Sequence, residues 1–323
     1  MKADRQNDNV LIRDFRKSDL DDLLRLLPVC NAEEFEATGF DPDHVRGMVN
    51  RWFGWGGRFL FGLLGLFGKR PLKFLAAEAD GKLVGTTIVA DRGKLSSISV
   101  VMVDPDCRRR GIATRLMTRA LEYVRQRGKA RAVLGVLSTN VPAIDMYVKL
   151  RFRAFENAVY FVGETGSFVA PEDVDGVVIR PFQNDDLNEV YTLVVASEDP
   201  VRLKMYDFRK NNLKTPFLAR FFRTSKETKL AAVHNGRIVG YAEVSYTTTN
   251  EVGKIGFIHA NVEGRKLGVE KLLINAARCV VETAGVNRFR VTVPSTQQEL
   301  AETVKALGFK KALAVDGMVA EFS

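Results

Sequence analysis

Ile98-Ser99-Val100-Val101-Met102-Val103 is an apolar run of strand length, and it leads directly into Asp104-Pro105-Asp106-Cys107-Arg108-Arg109-Arg110-Gly111-Ile112-Ala113. From Ile112 onward, apolar residues recur at Leu116, Met117, Ala120, Leu121 and Val124, the spacing of an amphipathic helix. The stretch therefore reads as strand, arginine-glycine turn, helix. A helix start exposes backbone N–H groups and a partial positive charge, which suits an anion. Gly111 and the small Ala113 let a pyrophosphate come close to the backbone, and Arg108, Arg109 and Arg110 add charge around it.

Other phosphate-binding patterns fit less well. No G-x-G-x-x-G follows a strand. Gly68-Lys69 superficially suggests a P-loop, but Leu63 stands where its first glycine is required and Arg70 replaces Ser or Thr.

Downstream, Val133-Leu134-Gly135-Val136 reads as a strand and Leu137-Ser138-Thr139-Asn140 as a turn. Ala143-Ile144-Asp145-Met146-Tyr147-Val148-Lys149-Leu150-Arg151-Phe152 follows as a short helix and its end. With the Val103-Asp104-Pro105 approach and Arg108-Arg109-Arg110-Gly111-Ile112-Ala113, residues 10 to 162 resemble the GCN5-related N-acetyltransferase (GNAT) superfamily. Its fingerprint is Gln or Arg, two variable residues, Gly, one variable residue, then Gly or Ala. The resemblance implies that acetyl-CoA is held by Val101, Met102 and Val103 and by Arg108, Arg109, Arg110, Gly111, Ile112, Ala113 and Thr114. It implies too that Asn140 binds the pantetheine arm or orders its turn, and that Tyr147 protonates the departing thiolate. Tyrosine carries the O–H donor that this role needs, and phenylalanine does not. The superfamily usually closes this segment with Gly-Phe, whereas this chain has Arg151-Phe152.

The general base is less well marked. Many members of the superfamily carry a glutamate in or near the central strand, but Ile98 to Val103 holds no acidic residue, and Asp104 reads as a turn cap. Glu33 and Glu34 are the base candidates, with a solvated helix surface as their alternative role.

The plan occurs twice. Val10-Leu11-Ile12-Arg13 has a counterpart in Val177-Val178-Ile179-Arg180, and each precedes an acidic helix start. Two hairpins follow, turning at Asp80-Gly81 and Asn235-Gly236, with final glycines Gly85 and Gly240. Leu150-Arg151-Phe152 answers to Leu307-Gly308-Phe309, an offset of 309 − 152 = 157. The expected architecture is α/β, two tandem GNAT-like acyl-CoA N-acyltransferase domains, each a mixed central sheet flanked by helices. Residues 10–165 form the acetyl-CoA-binding catalytic domain, 166–175 the linker, and 176–323 a degenerate, non-catalytic copy. In that copy Arg265 and Gly268 match the turn, but Glu270 stands where Gly or Ala is expected, and its charge opposes a pyrophosphate. The offset of 157 sets Gln297 against Asn140 and Val304 against Tyr147, so the copy lacks the acid.

Composition sets the outer bounds. Apolar types make up 46% of the 323 residues, enough for a sizeable core. The net charge of +9 favours anionic ligands, but no zinc finger or aromatic-and-basic module supports nucleic acid as the partner. Cys30, Cys107 and Cys279 form neither a disulfide framework nor a metal site, and His44, His234 and His259 show no metal spacing, so no metal is expected. The polar opening MKADRQNDNV lacks a signal-peptide core, and a reducing cytoplasm is the expected setting. Residues 52–68, WFGWGGRFLFGLLGLFG, read as a substrate-site flap or buried helix, with peripheral membrane contact as the less favoured alternative. The function expected is acetyl transfer from acetyl-CoA to an amine on a small molecule or protein. The competing reading is a non-catalytic, CoA-responsive interaction module.

Overall fold

A computed structural model describes residues 9–30, 32, 45–47, 49–50, 72–164, 166, 174–214, 226–246 and 252–322. The first half runs β1 (Leu11–Asp14), α1 (Leu20–Cys30), β2 (Leu72–Ala79), β3 (Lys82–Arg92), β4 (Leu95–Val103), α2 (Ile112–Gln126), β5 (Arg131–Leu137), α3 (Val141–Lys149) and β6 (Arg153–Glu164). The second runs β7 (Val177–Pro181), α4 (Leu187–Ser197), α5 (Pro200–Met205), β8 (Lys226–His234), β9 (Arg237–Tyr246), β10 (Val252–Ala260), α6 (Val262–Lys266), α7 (Val269–Thr283), β11 (Arg288–Pro294), α8 (Gln298–Ala306) and β12 (Lys310–Glu321).

All the strands join one mixed sheet in the order β1-β2-β3-β4-β5-β12-β6-β11-β10-β9-β8-β7. The halves are thus joined by exchange. The last strand of the chain lies against β5 of the first half, and β6 lies against β11 of the second. Where β6 and β12 meet, Ala158 faces Val315, and 315 − 158 = 157 is the offset that relates the two copies. Ala158 and Val315 therefore mark a pseudo-two-fold axis. The irregularities flanking this pair obey it too. One extra residue, Phe155, is accommodated in β6 and one, Ala312, in β12, and 312 − 155 is again 157.

Local details repeat with the same fidelity. Both hairpin turns adopt the left-handed conformation that a two-residue turn requires, with φ of 50° and 77° at Asp80-Gly81 and of 49° and 75° at Asn235-Gly236. Arg13 grips Asp19 through two hydrogen bonds of 2.7 and 2.8 Å, and Arg180 grips Asp186 through two of 2.6 and 2.7 Å. The Arg180 guanidinium holds the Asp186 carboxyl below the usual carboxylate range. Gly85 and Gly240 let a helix press onto the sheet. A Cβ at Gly85 would lie 2.8 Å from Met102 O and 3.3 Å from Leu116, and one at Gly240 would run into Val269.

Helices cover both faces. On one face of the first half, α2 buries Ile112, Leu116, Met117, Ala120, Leu121 and Val124 against Ile98, Leu134 and Val136. On the other, α1 and residues Val45 and Val49 cover Phe74, Leu83 and Met102, while Met205 of α5 covers Leu95, Val133 and Val319. A helix of the second half thus roofs part of the first half's sheet.

Candidate functional site

Strands β4 and β5 run parallel and pair only from Leu95↔Arg131 to Ser97↔Val133. Beyond Ser97 they part, while β5 stays paired to β12 on its other edge as far as Leu137↔Val315. Among the described residues, Ile98 to Val103 therefore have no strand partner on the β5 side. Within that stretch Val100 takes φ of +56°, and the ladder to β3 shifts register there. A valine with positive φ is strained, because its branched Cβ crowds the backbone. The bulge turns the unpaired edge of β4 toward the opening. Val101 and Val103 pack toward the α2 core, and the Met102 side chain is buried under α1.

The arginine-glycine turn caps this opening. Asp104 Oδ1 accepts from the N–H of Asp106 at 3.2 Å, and its Oδ2 pairs with Arg25 at 2.9 Å. Asp104 is thus engaged as a cap. Arg108 Nε donates to Val103 O at 3.2 Å, and the Cys30 thiol contacts the same oxygen at 3.4 Å, with burial pushing that thiol's pKa up. Arg109 and Gly111 are left-handed, with φ of +66° and +75°, and Arg110 between them is not. Such alternation gathers backbone N–H groups into a concave anion nest. Helix α2 follows at once. Its first intrahelical bond runs from Arg115 N to Gly111 O at 3.0 Å, so the N–H groups of Ile112, Ala113 and Thr114 lie ahead of the ladder. A Cβ at Gly111 would meet nothing within 4 Å, so the space over the turn is open. Ile112 is buried, while Arg109, Arg110 and Thr114 are exposed.

Asn140 is the N-cap of α3 and accepts from Ala143 N at 3.2 Å, which fixes the turn after β5. Tyr147 lies in the core shared with Val101, Val103 and α2, at 5% exposure, its ring 5.8 Å from that of Phe152. Arg151 has φ of +67°, where its counterpart Gly308 has +91°, so the arginine takes on a glycine conformation. Glu33 and Glu34, His44 and residues 52–68 lie outside the described residues.

The second copy keeps the frame and changes the contents. Strands β10 and β11 pair from Val252↔Arg288 to Ile255↔Val291 and then part, with a register shift at Gly256. Gly268 caps α7 at φ of +67°, as Gly111 caps α2. In the first turn of α7, Glu270 lies 3.9 Å from Arg265, and burial raises its pKa against that guanidinium, with Glu299 adding to the rise. A carboxylate thus stands at the helix start where the first copy is open. Gln297 precedes α8 without a side-chain cap, and Val304 is fully buried. Sequence reading missed what fills the other side of this copy. His259 of β10 is buried, with Nδ1 3.0 Å from Ser197 Oγ and Nε2 3.9 Å from Glu198 Oε2. Burial pushes its pKa down to about 3, so it is neutral. Ser197 and His259 are 62 residues apart in the chain, and only the fold joins them.

Comparison with known proteins gives a consistent picture. Residues 29–152 match the acetyltransferase (GNAT) family. An uncharacterized N-acetyltransferase of Methanocaldococcus jannaschii is 32% identical over 154 residues, covering 45% of this chain and 61% of that protein. A mycothiol acetyltransferase of Saccharomonospora viridis is 35% identical over 97 residues, covering 27% of this chain and 32% of that protein. The chain thus spans less than two thirds of these relatives. Among solved structures, a tandem GNAT protein from the clavulanic acid biosynthesis pathway aligns with a TM-score of 0.66 at 17% identity, over 97% of this chain and 98% of that one. A GCN5-related N-acetyltransferase from Sphaerobacter thermophilus aligns with a TM-score of 0.66 at 18% identity, over 97% and 95%. At these identities the likeness is one of fold.

Proposed function

Since residues 29–152 belong to the acetyltransferase (GNAT) family and the chain has the fold of tandem GNAT proteins, we propose that its first half transfers an acetyl group from acetyl-CoA to an amine. The observation that carries this reading is the opening between β4 and β5, bulged at Val100 and continuous with the nest before α2. The N–H groups of Ile112, Ala113 and Thr114, with Arg109 and Arg110 beside them, suit the pyrophosphate. The unpaired backbone of β4 suits the pantetheine amides, and an N–H at the bulge suits the polarisation of the thioester carbonyl. The donor supplies an activated acetyl group. The protein holds amine and thioester in line, excludes water and moves protons. Asn140 keeps the turn after β5 in shape. Tyr147 is the acid for the leaving thiolate, its ring fixed against Phe152. A reducing cytoplasm suits the three free cysteines, and no helix among the described residues is long and apolar enough to cross a membrane.

Calorimetric titration with acetyl-CoA, followed by a screen of amine acceptors for acetylated product, tests the reading. One saturable site and a product are expected. A bound donor with no product from any amine would favour the CoA-responsive module, and no binding would reject both.

Two variants sharpen it. Tyr147→Phe keeps the ring packing and removes the donor, so melting should be unchanged while kcat falls by about 10²-fold, the low end for a lost general acid. Glu270→Ala should leave the stoichiometry at one per chain. Removing the carboxylate does not restore the anion nest, because the second copy has the left-handed Gly268 without a left-handed counterpart of Arg109. A second site in that variant would show that Glu270 alone had silenced the second copy.

A further inference from the structure

With the donor's pyrophosphate at the start of α2, as the acetyl-transfer reading has it, the opposite face of the sheet is left to the acceptor. On that face α1 covers the sheet as far as Met102, and Met205 covers Leu95, Val133 and Val319. Between the two covers Ser99 and Gly135 are exposed, each two residues beyond the last pair of the β4–β5 ladder. Gly135 faces Gly317 on β12, and Gly317 faces Glu156 on β6. The row Ser99, Gly135, Gly317, Glu156 crosses four strands and has no side chain at its middle positions. Glu156 fills part of that gap. Its side chain lies back over Gly317, where an added Cβ would be 2.5 Å from Cγ and 2.7 Å from Oε1. The carboxylate thus stands about one strand spacing, about 5 Å, beyond the Gly135 floor.

The groups that hold it come from the second half. Arg202 Nε bonds to Glu156 Oε2 and Tyr206 donates its hydroxyl to Oε1, while Arg202 also pairs with Glu198 at 2.6 Å. Each oxygen of Glu156 keeps a lone pair, since a carboxylate accepts about four bonds. Among the described residues, Glu156 and Glu198 both pair with the one guanidinium of Arg202, and His259 is neutral. Behind Glu198, His259 Nε2 lies 3.9 Å from its Oε2 and is buried with no hydrogen-bond partner among the described residues.

We propose that Glu156 docks the cationic acceptor, so that this groove selects ammonium-bearing molecules over neutral ones of the same shape. The inference rests on the acetyl-transfer reading for its meaning, but its test does not need turnover. The sequence hides this residue, because Glu156 meets the groove only through the pairing of β6 with β12 and the placement of α5.

The full chain is titrated with 2-phenylethylamine and with its neutral counterpart 2-phenylethanol, by ligand-observed NMR. The amine should bind at least 10-fold more tightly, and the difference should collapse to within 2-fold in Glu156→Gln. Gly135→Ala, which puts a methyl on the exposed floor 3.2 Å from Val315 Cγ1, a neighbour that must give by a few tenths of an ångström, should weaken the amine at least 5-fold and serves where Glu156→Gln fails to fold. Acetyl-CoA affinity, measured separately, should stay within 3-fold in both variants. An undiminished amine preference in folded Glu156→Gln, or unchanged amine binding in Gly135→Ala, overturns the proposal. Loss of acetyl-CoA binding by the parent chain would instead strike the acetyl-transfer reading and leave the docking result standing by itself.

Discussion

Ala113→Glu is expected to weaken acetyl-CoA binding by at least about 100-fold while leaving the melting temperature within a few degrees. The substitution copies into the first half what the second half carries at Glu270, the third residue of the sequence Gly268-Val269-Glu270. Ala113 is in the first turn of α2, partly exposed, where its N–H and those of its neighbours precede the first intrahelical bond. A carboxylate there lies about 5 Å from a bound phosphate charge, and at an effective dielectric near 20 each such pair costs about 3 kcal/mol. The fold is affected in the opposite sense. A glutamate in the first turn of a helix is favourable by about 0.3–1 kcal/mol, since it faces the positive end of the dipole. Affinity and stability therefore move independently. Ala113→Gln has the same length without the charge and separates repulsion from crowding. Calorimetry and thermal melting of both variants would check the expectation. Parental affinity in Ala113→Glu would remove the anion from the start of α2.

That contrast between Ala113 and Glu270 was legible in the sequence because it depends on neighbours along the chain. The strand, turn and helix around Gly111, the twin hairpins at Asp80-Gly81 and Asn235-Gly236 and the duplicated Arg-Asp grips are all local, and local chemistry repeats where residues repeat. The partners of β6 and β12 were not legible. An alternating strand has the same pattern whichever edge it joins, and here each joins the other copy. Everything built on that choice was hidden as well, including the placement of Glu156 over Gly317 and the roof that Met205 makes on Val133. Burial had a similar effect at Tyr147. Its helix position was readable, but its ring contact with Phe152 depends on the left-handed Arg151 that turns the chain back.

Exchange also determines how half of the chain behaves alone. Residues 9–165 are expected to form a dimer, read as twice the monomer mass by light scattering. Among the described residues of the intact protein, β6 pairs with β11 and β12, both from the second half, and β5 has β12 on its outer edge. Cutting the chain after β6 leaves β5 with an open edge and takes Met318, Val319 and Ala320 out of the first half's core. Large-to-small losses of this kind cost about 2–5 kcal/mol per large side chain, and an open apolar edge invites another strand. A second copy meets both needs. The offset of 157 places Phe161, Val162 and Gly163 of its β6 where Met318, Val319 and Ala320 lay, so apolar side chains again face the core on either side of the strand. The same offset puts Ala158 on the two-fold axis, opposite itself, because Ala158 faces Val315 in the intact sheet. Ala158→Cys in the half chain should therefore give an intermolecular disulfide under mild oxidation, and the same change in the full chain should not, since there the opposing residue is Val315. A folded monomer whose introduced thiol stays unpaired would mean that β6 can turn back beside its own β5. The crossing of the halves would then come from the tandem connection, and the arrangement that lays Glu156 across the acceptor groove would depend on both copies being one chain.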